Sequence, residues 1–335
     1  MRPRFLTRRQ VIAGFGAAGC ALAAPWAIRA VPMWRAAAQA ARYDPPLELG
    51  SFGRASAINS DGVVVGLSGS TAAMWDRSTL LDLGSWPGDA SSEALAINDA
   101  GVIVGASWSA GYQPHAVVWS QGQVFDLGTL AGGSESMALA INERGQAAGW
   151  SATADGARHA VQWDLDSGQV TDLGTAGGAG AGATGINDNG VVVGWIETSD
   201  GTLHAAVFDQ GESFTDLGEH SLALAINASG LVAGIARAED GNDHAVVWED
   251  ERLVDLDPDG SSSQATAING ECIVVGSTAR SGSDTAARWD ARTLEVSALD
   301  GLSDEPAVAY GVNAAGRIVG ESGGRPVLWE PRVGS

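Results

Sequence analysis

The chain has 335 residues, 45% apolar and 18% charged, with 40 acids against 19 bases, all of the bases Arg. It is too apolar for a disordered acidic tail, and a formal charge of −21 excludes general binding to nucleic acid or anionic membrane, which needs clustered bases. Two Cys build neither a disulfide framework nor a Cys-based zinc site.

Residues 1–46 hold seven Arg and one acid, Asp44, which leaves 12 Arg and 39 acids, a charge near −27, for the rest. Thr7-Arg8-Arg9-Gln10-Val11-Ile12 leads into an apolar, Ala/Gly-rich run that ends at Ala24. A basic start, a short apolar run and small residues spell a secretory signal. The paired Arg resemble the twin-arginine type, with Val11 where that pattern favours Phe. The run is shorter than the ~20 residues of a membrane span. A mature protein without a transmembrane segment is expected, in the periplasm, at the cell surface or outside the cell. Ala21-Leu22-Ala23 and Ala38-Gln39-Ala40 both fit a small-x-small cleavage site, and Ala17-Ala18-Gly19-Cys20 is a degenerate lipobox that would lipidate Cys20.

From residue 47 onward the chain repeats. Asn59, Asn98, Asn142, Asn187, Asn227, Asn269 and Asn313 recur at spacings of 39 to 45 residues. So do a Gly (Gly66 to Gly320), an aromatic (Trp75, Trp119, Trp163, Phe208, Trp248, Trp289, Trp329) and a closing acid (Glu48, Asp82, Asp126, Asp172, Asp216, Asp255), with Ala298 in the seventh acid place. Each unit reads as four short strands. Ala-Ile-Asn is the first; Asn-x-x-Gly turns into a Val-Val-Gly strand that ends at the recurring Gly; His-Ala-Val-Val-Trp alternates as the third; Asp-Leu-Gly is the fourth. Both faces of such a sheet are apolar, so neighbours must stack. Four-stranded units of this length are propeller blades. The reading is all-β: a single seven-bladed β-propeller over 47–335, preceded by the 1–46 export signal and linker, and monomeric. The last unit lacks a fourth strand and residues 47–52 supply a spare one, so the ring is expected to close there, which removes a free edge.

The His-Ala-Val-Val-Trp and Asp-Leu-Gly-Thr-Leu-Ala-Gly-Gly segments, with Ala-Ile-Asn-x-x-Gly, resemble the bacterial HAF-repeat family of extracellular repeat proteins. The resemblance covers residues 47–330 and is most specific where His115, His159, His204 and His244 each precede Ala. Units 1, 6 and 7 depart, with Thr71, Thr285 and Arg325 in that place, and Cys272 replaces the turn Gly of unit 6, whose first hairpin is expected to differ. The family implies an extracytoplasmic repeat protein and carries no general activity with it.

Candidate chemistry is sparse. The four repeat His lie on successive blades and would diverge, so a hydrogen bond within each blade is expected rather than a metal site. The repeat aromatics are expected between blades, and the seven Asn as turn caps. Asp255-x-Asp257-x-Asp259-Gly260 offers alternating carboxylates to calcium, although Asp255 is also an ordinary closing acid. Trp86, Trp108, Trp150 and Trp195 stand outside the repeat position, in units 1 to 4, at second-strand ends or in loops that share one face. With nearby acids they form a candidate aromatic patch for a sugar or cationic group. No nucleophile elbow, phosphate loop or HExxH motif is present. The expectation is a non-catalytic module that binds a protein or carbohydrate and needs no cofactor. A glycan-active hydrolase or lyase with its site at the axial mouth is the alternative, and a structural spacer a further one.

Overall fold

The structure, a computed structural model, describes residues 42–77, 79–208, 213–259, 262–279 and 283–332. The expected export signal, its two candidate cleavage sites and Cys20 lie outside these residues.

The chain starts with a short strand, β1 (Leu47–Glu48), and then builds sheets in sequence order. Blade 1 is β2 (Gly53–Ile58), β3 (Val64–Ser68), β4 (Thr71–Asp76) and β5 (Thr79–Asp82); blade 2 is β6 (Ser91–Ile97), β7 (Ile103–Trp108), β8 (Pro114–Ser120) and β9 (Gln123–Asp126). Blade 3 runs from β10 (Ser136–Ile141) through β11 (Gln146–Ala152) and β12 (Arg158–Asp164) to β13 (Gln169–Gly174); blade 4 from β14 (Gly180–Ile186) through β15 (Val192–Glu197) and β16 (Leu203–Phe208) to β17 (Phe214–Glu219). Blade 5 comprises β18 (Ser221–Ile226), β19 (Val232–Arg237), β20 (Asp243–Glu249) and β21 (Arg252–Asp255); blade 6 comprises β22 (Ser263–Ile268), β23 (Ile273–Thr278), β24 (Thr285–Asp290) and β25 (Glu295–Leu299). Blade 7 is β26 (Ala307–Val312), β27 (Ile318–Ser322) and β28 (Arg325–Trp329), completed by β1, in the order β1-β28-β27-β26. Every sheet is antiparallel and four-stranded, giving the seven-bladed propeller expected from the repeats.

Closure at blade 7 begins further upstream than residue 47. Arg332 N–H donates to Arg42 C=O, Asp44 N–H to Glu330 C=O and Leu49 N–H to Pro326 C=O, around the Leu47↔Leu328 and Glu48↔Val327 pairs. Residues 50–52 turn instead into blade 1. Antiparallel pairing satisfies the backbone groups that β28 would otherwise present as an open edge.

The recurring Gly lies inside the second strand, which continues past it, rather than at its end. It pairs with a first-strand Ala in all seven blades, for example Ala94↔Gly105, next to a bulge that skips one residue. A Cβ on Gly105 would meet Glu93 C=O at 2.0 Å, so only Gly fits opposite the bulge. The hairpin of blade 6 does not differ as expected. Cys272 takes the turn Gly's left-handed conformation (φ 60) and keeps the same bonds, its N–H to Asn269 C=O and Ile273 N–H to Asn269 Oδ1.

The core lies between blades. Trp289 and Trp329 are 0% exposed and the other five repeat aromatics at most 5%. Small Ala residues on the facing strands let the sheets approach. Trp119, Trp248 and Trp329 each donate their indole N–H to a backbone carbonyl of the preceding blade, Gly84, Leu217 and Asp300. Serines add polar ties: Ser92, Ser136, Ser221 and Ser263, within the first two residues of a first strand, accept the N–H of Ala72, Ala116, Ala205 and Ala245 in the blade before.

Candidate functional site

The first strands are innermost and touch one another in a closed cycle around the axis. At their far ends the seven buried Asn do two jobs. Each Oδ1 accepts an N–H of its own turn, as in Val63 N–H to Asn59 and Val102 N–H to Asn98. Each Nδ2 donates to the backbone carbonyl of the next Asn, and Asn313 returns to Asn59. The Asn are therefore turn caps and also a polar ring that girdles the axis. Outside this ring Asp99, Glu143 and Asp188 accept the N–H of Ser60, Asp99 and Glu143, one blade back. Burial, then the like charges of Asp99 and Asp188, push the Glu143 carboxyl above its ordinary range.

The repeat His pair with the closing acid on the fourth strand of their own blade. Nδ1 lies 2.9 Å from Asp172 in His159, 2.9 Å from Asp216 in His204 and 2.7 Å from Asp255 in His244, with His115 to Asp126 looser at 3.7 Å. Blade 7 keeps the pair with different chemistry: Arg325 Nη1 donates to Glu48 Oε2 at 3.1 Å. Blade 6 has lost both partners, Thr285 and Ala298 standing in their places. The acid also caps its own turn, accepting the N–H two residues on in Gly84, Gly128, Gly174, Gly218 and Asp257.

That repeat geometry accounts for two of the three candidate calcium ligands. Asp255 is held by His244 and by the Asp257 N–H. Asp257, 0% exposed, stands where other units have Gly and accepts the Thr278 hydroxyl of the next blade at 2.6 Å. Asp259 is exposed. Among the described residues no group of three or more His, Cys, Asp or Glu is placed to hold a metal ion.

The four non-repeat Trp all lie on the face that carries the second-to-third and fourth-to-first loops, but in different settings. Trp86, in the β5–β6 loop, packs on the core between blades 1 and 2, and its backbone N–H donates to Ser107 Oγ. Trp150 is 7% exposed, with the Arg158 guanidinium 4.3 Å over its ring. Trp195 lies against the backbone of Gly182, where a Cβ would sit 3.0 Å from the indole. Trp108 lines a cleft of 290 Å³ with Leu67, Ser70, Ser91, Ser92, Glu93 and Tyr112. The acids in the neighbouring loops close their own turns. Thr153 donates to Asp155 and Thr198 to Asp200, and the latter bond is the largest of those that hold the Asp200 carboxyl down at about 2. Asp240 accepts Asn242, and Asp243 pairs with Arg237.

The residues that the sequence left unmarked sit on one rung of each sheet at this face. The rung reads Arg54↔Leu67, Glu93↔Ala106, Met137↔Trp150, Gly182↔Trp195, Leu222↔Ile235, Gln264↔Ser277 and Val308↔Glu321 around the ring. Blades 3 to 5 are apolar there, and charge is confined to blades 7, 1 and 2. Arg54 Nε donates to Glu93 Oε1, and the guanidinium stands 5.9 Å from the Tyr310 ring. Burial opposes the Arg54 charge, yet the bond and charge of Glu93 outweigh it and raise its pKa. Burial, then the charge of Glu321, raises that of the Tyr310 phenol. The signal was a column in which the seven repeats disagree, visible only once register assigns the column to one rung.

No family profile matches the chain, and no curated protein matches it. Solved structures do. A puromycin hydrolase S511A mutant complexed with PGG aligns at TM-score 0.60 and 12% identity over 84% of this chain and 52% of that one. The Pyrococcus horikoshii acylaminoacyl peptidase aligns at 0.51 and 11% over 85% and 51%. The chain thus spans about half the length of these two enzymes. The β-propeller domain of the trilobed protease from Pyrococcus furiosus, described as having an open velcro topology, aligns at 0.53 and 9% over 84% and 95%. At these identities the likeness is one of fold: a β-propeller, here with its ring closed between β1 and β28.

Proposed function

We propose that the protein is an exported, non-catalytic propeller of the HAF-repeat kind that binds a ligand on the loop face bearing Trp108. The observation that carries this is the distribution of charge. The conspicuous acids of the repeats are bound up in turns and His pairs, whereas the Arg54–Glu93 pair borders an open, aromatic-lined cleft. Binding sites are concave and mostly apolar with a few fixed polar groups, and this cleft is of that kind. The twin-arginine-type leader supports export. Cleavage after Ala40 would leave Ala41 as the N-terminus and keep Arg42 onward, the residues that pair with blade 7. No helix among the described residues is long and apolar enough to cross a membrane. The test has two parts. Full-length protein carrying Arg8→Lys and Arg9→Lys is expected to stay in the cytoplasm while the parent is exported; equal export overturns the leader reading. The purified 42–335 chain is expected to bind isolated cell-envelope material saturably, and no saturable binding overturns the binding reading.

One observation favours a second reading, a glycan-active enzyme at the same mouth: Tyr310, Glu93 and Glu321 gather around Arg54. Against it, a nucleophilic phenolate needs a lowered pKa, and that of Tyr310 is raised. Release of reducing ends from envelope polysaccharide, lost in Glu321→Gln, would favour the enzyme.

A further inference from the structure

The cleft between blades 1 and 2 has a chemistry specific enough to select a ligand class. Its wall is the buried Glu93, 7% exposed, on the third rung of β6, opposite Ala106. Glu93 Oε1 is engaged by Arg54 Nε and by the Ser56 hydroxyl at 3.4 Å. Oε2 takes no hydrogen bond among the described residues, although Glu93 lines the cleft. Oε2 is not among the buried polar atoms that lack a partner, so it is open to the cleft, where water or a ligand hydroxyl donates to it. On the rim, the hydroxyls of Ser70 and Ser91 also make no bond within the described residues. Trp108 is half-buried and Tyr112 is 87% exposed with φ 61, a backbone conformation that non-glycine residues seldom adopt.

We infer that this cleft, taken with the binding reading above, is a subsite for one neutral pyranose unit of a glycan, with the C–H face of the sugar stacked on Trp108 and a hydroxyl donated to Glu93 Oε2. The charge balance decides among ligands. Glu93 is already neutralised by Arg54, so a cationic ligand would bring its charge beside a guanidinium. An anionic ligand would meet the carboxylate first. A sugar hydroxyl is donor and acceptor at once and suits a wall that offers both. The ring's C–H face is apolar and matches an indole face, which amphipathic aromatic side chains supply at binding sites. The volume, 290 Å³, is at the small end of ligand pockets and fits one sugar ring rather than a peptide stretch. Tyr112, at the rim, is placed to touch the next unit of a chain.

The inference is tested on the 42–335 chain by saturation-transfer NMR and calorimetry with methyl glycosides of glucose, galactose, mannose and N-acetylglucosamine. At least one is expected to bind saturably, and the affinity to fall tenfold or more in Trp108→Ala and in Glu93→Gln. Phe125→Ala, exposed on the outer strand β9 and outside the cleft, is expected to leave it unchanged. Tyr112→Ala removes an exposed side chain and cannot fail through folding; it is expected to weaken a disaccharide more than a monosaccharide. Glu93→Gln also loosens Arg54, so its melting curve is recorded alongside. No saturable binding by any glycoside, or binding that survives Trp108→Ala, overturns the inference. Tighter binding of tetramethylammonium or arginine methyl ester than of any glycoside, lost in Trp108→Ala, overturns it in favour of a cation site. Saturable binding to envelope material that is indifferent to Trp108→Ala leaves the binding module standing and removes only the sugar cleft.

Discussion

The Asn313 side chain donates to the backbone carbonyl of Asn59 at 3.0 Å, across 254 residues of sequence. This bond joins the last first strand to the first one and completes a ring in which every blade holds its neighbour by the same group. Replacing Asn313 by Ala removes the turn cap and the inter-blade bond together and strands the Arg317 N–H, while the Asn59 carbonyl keeps only the Gly62 N–H. A cost of about 2–3 kcal/mol is expected from the loss of a cap and of a buried partner, read as a lower urea midpoint with an unchanged slope. A variant as stable as the parent would show that the ring contributes nothing.

Ring closure by the N-terminal strand gives the second prediction. Deleting residues 42–49 strips β28 of its partner and exposes the edge beside Val327 and Trp329, both 0% exposed. At about 1 kcal/mol for each lost backbone bond, several kcal/mol of stability should go, and the open edge should promote self-association. Denaturant unfolding and light scattering check both. A deletion variant that melts with the parent and stays monomeric would contradict the closure.

Trp289 fills the space between blades 5 and 6 and is 0% exposed. Trp289→Ala should cost about 3–5 kcal/mol. Trp108→Ala, at the cleft, should cost much less, so a melting comparison of the two separates core from surface.

The His244–Asp255 pair makes stability depend on pH. Burial alone would lower the His244 pKa, but the hydrogen bond and charge of Asp255, then Asp240, raise it above its ordinary value. A raised folded pKa contributes stability that is complete below the unfolded value of about 6.5 and disappears as pH climbs through the folded pKa. The parent should therefore lose stability relative to His244→Gln between pH 6 and 8. Parallel pH profiles for the two proteins would refute the coupling.

Asp257 serves as a strut to Thr278 of the next blade. Asp257→Ala is expected to cost about 1–3 kcal/mol by stranding that buried hydroxyl, by the same amount with calcium as with chelator. A parent melting temperature that rises with millimolar calcium, and no longer does so in Asp259→Asn, would establish the alternating carboxylates as a metal site instead.

Much of this was legible because repeats report periodically. Seven copies of an Asn, a Gly and an aromatic give blade number, strand order and the frame in which the N-terminus completes the last blade. The His–Asp pairs could be expected to stay within a blade because third and fourth strands are hairpin partners. The blade 6 hairpin could not be read in the same way. Cys272 in the Gly position suggested a changed turn, yet the Asn269 cap and the neighbouring packing hold a non-glycine residue in the left-handed region, at a cost of about 1–2 kcal/mol.

What the sequence determined by itself was the ring, since hydrophobic alternation, turn chemistry and repeat frame are local properties that each unit states independently. What only the tertiary structure decided was which non-repeating residues meet. Arg54 lies 39 to 267 positions from Glu93, Tyr310 and Glu321, and no local pattern links it to them. They converge because the bulge opposite each Gly fixes the register of the first two strands and ring closure sets blade 7 beside blade 1. The four Trp share one face, but the packing gives each its own setting, with Trp150 under Arg158, Trp195 on Gly182 and Trp108 in the cleft. Side chains two positions apart on a strand share a face, but whether that face is core or cleft depends on the blade packed against it.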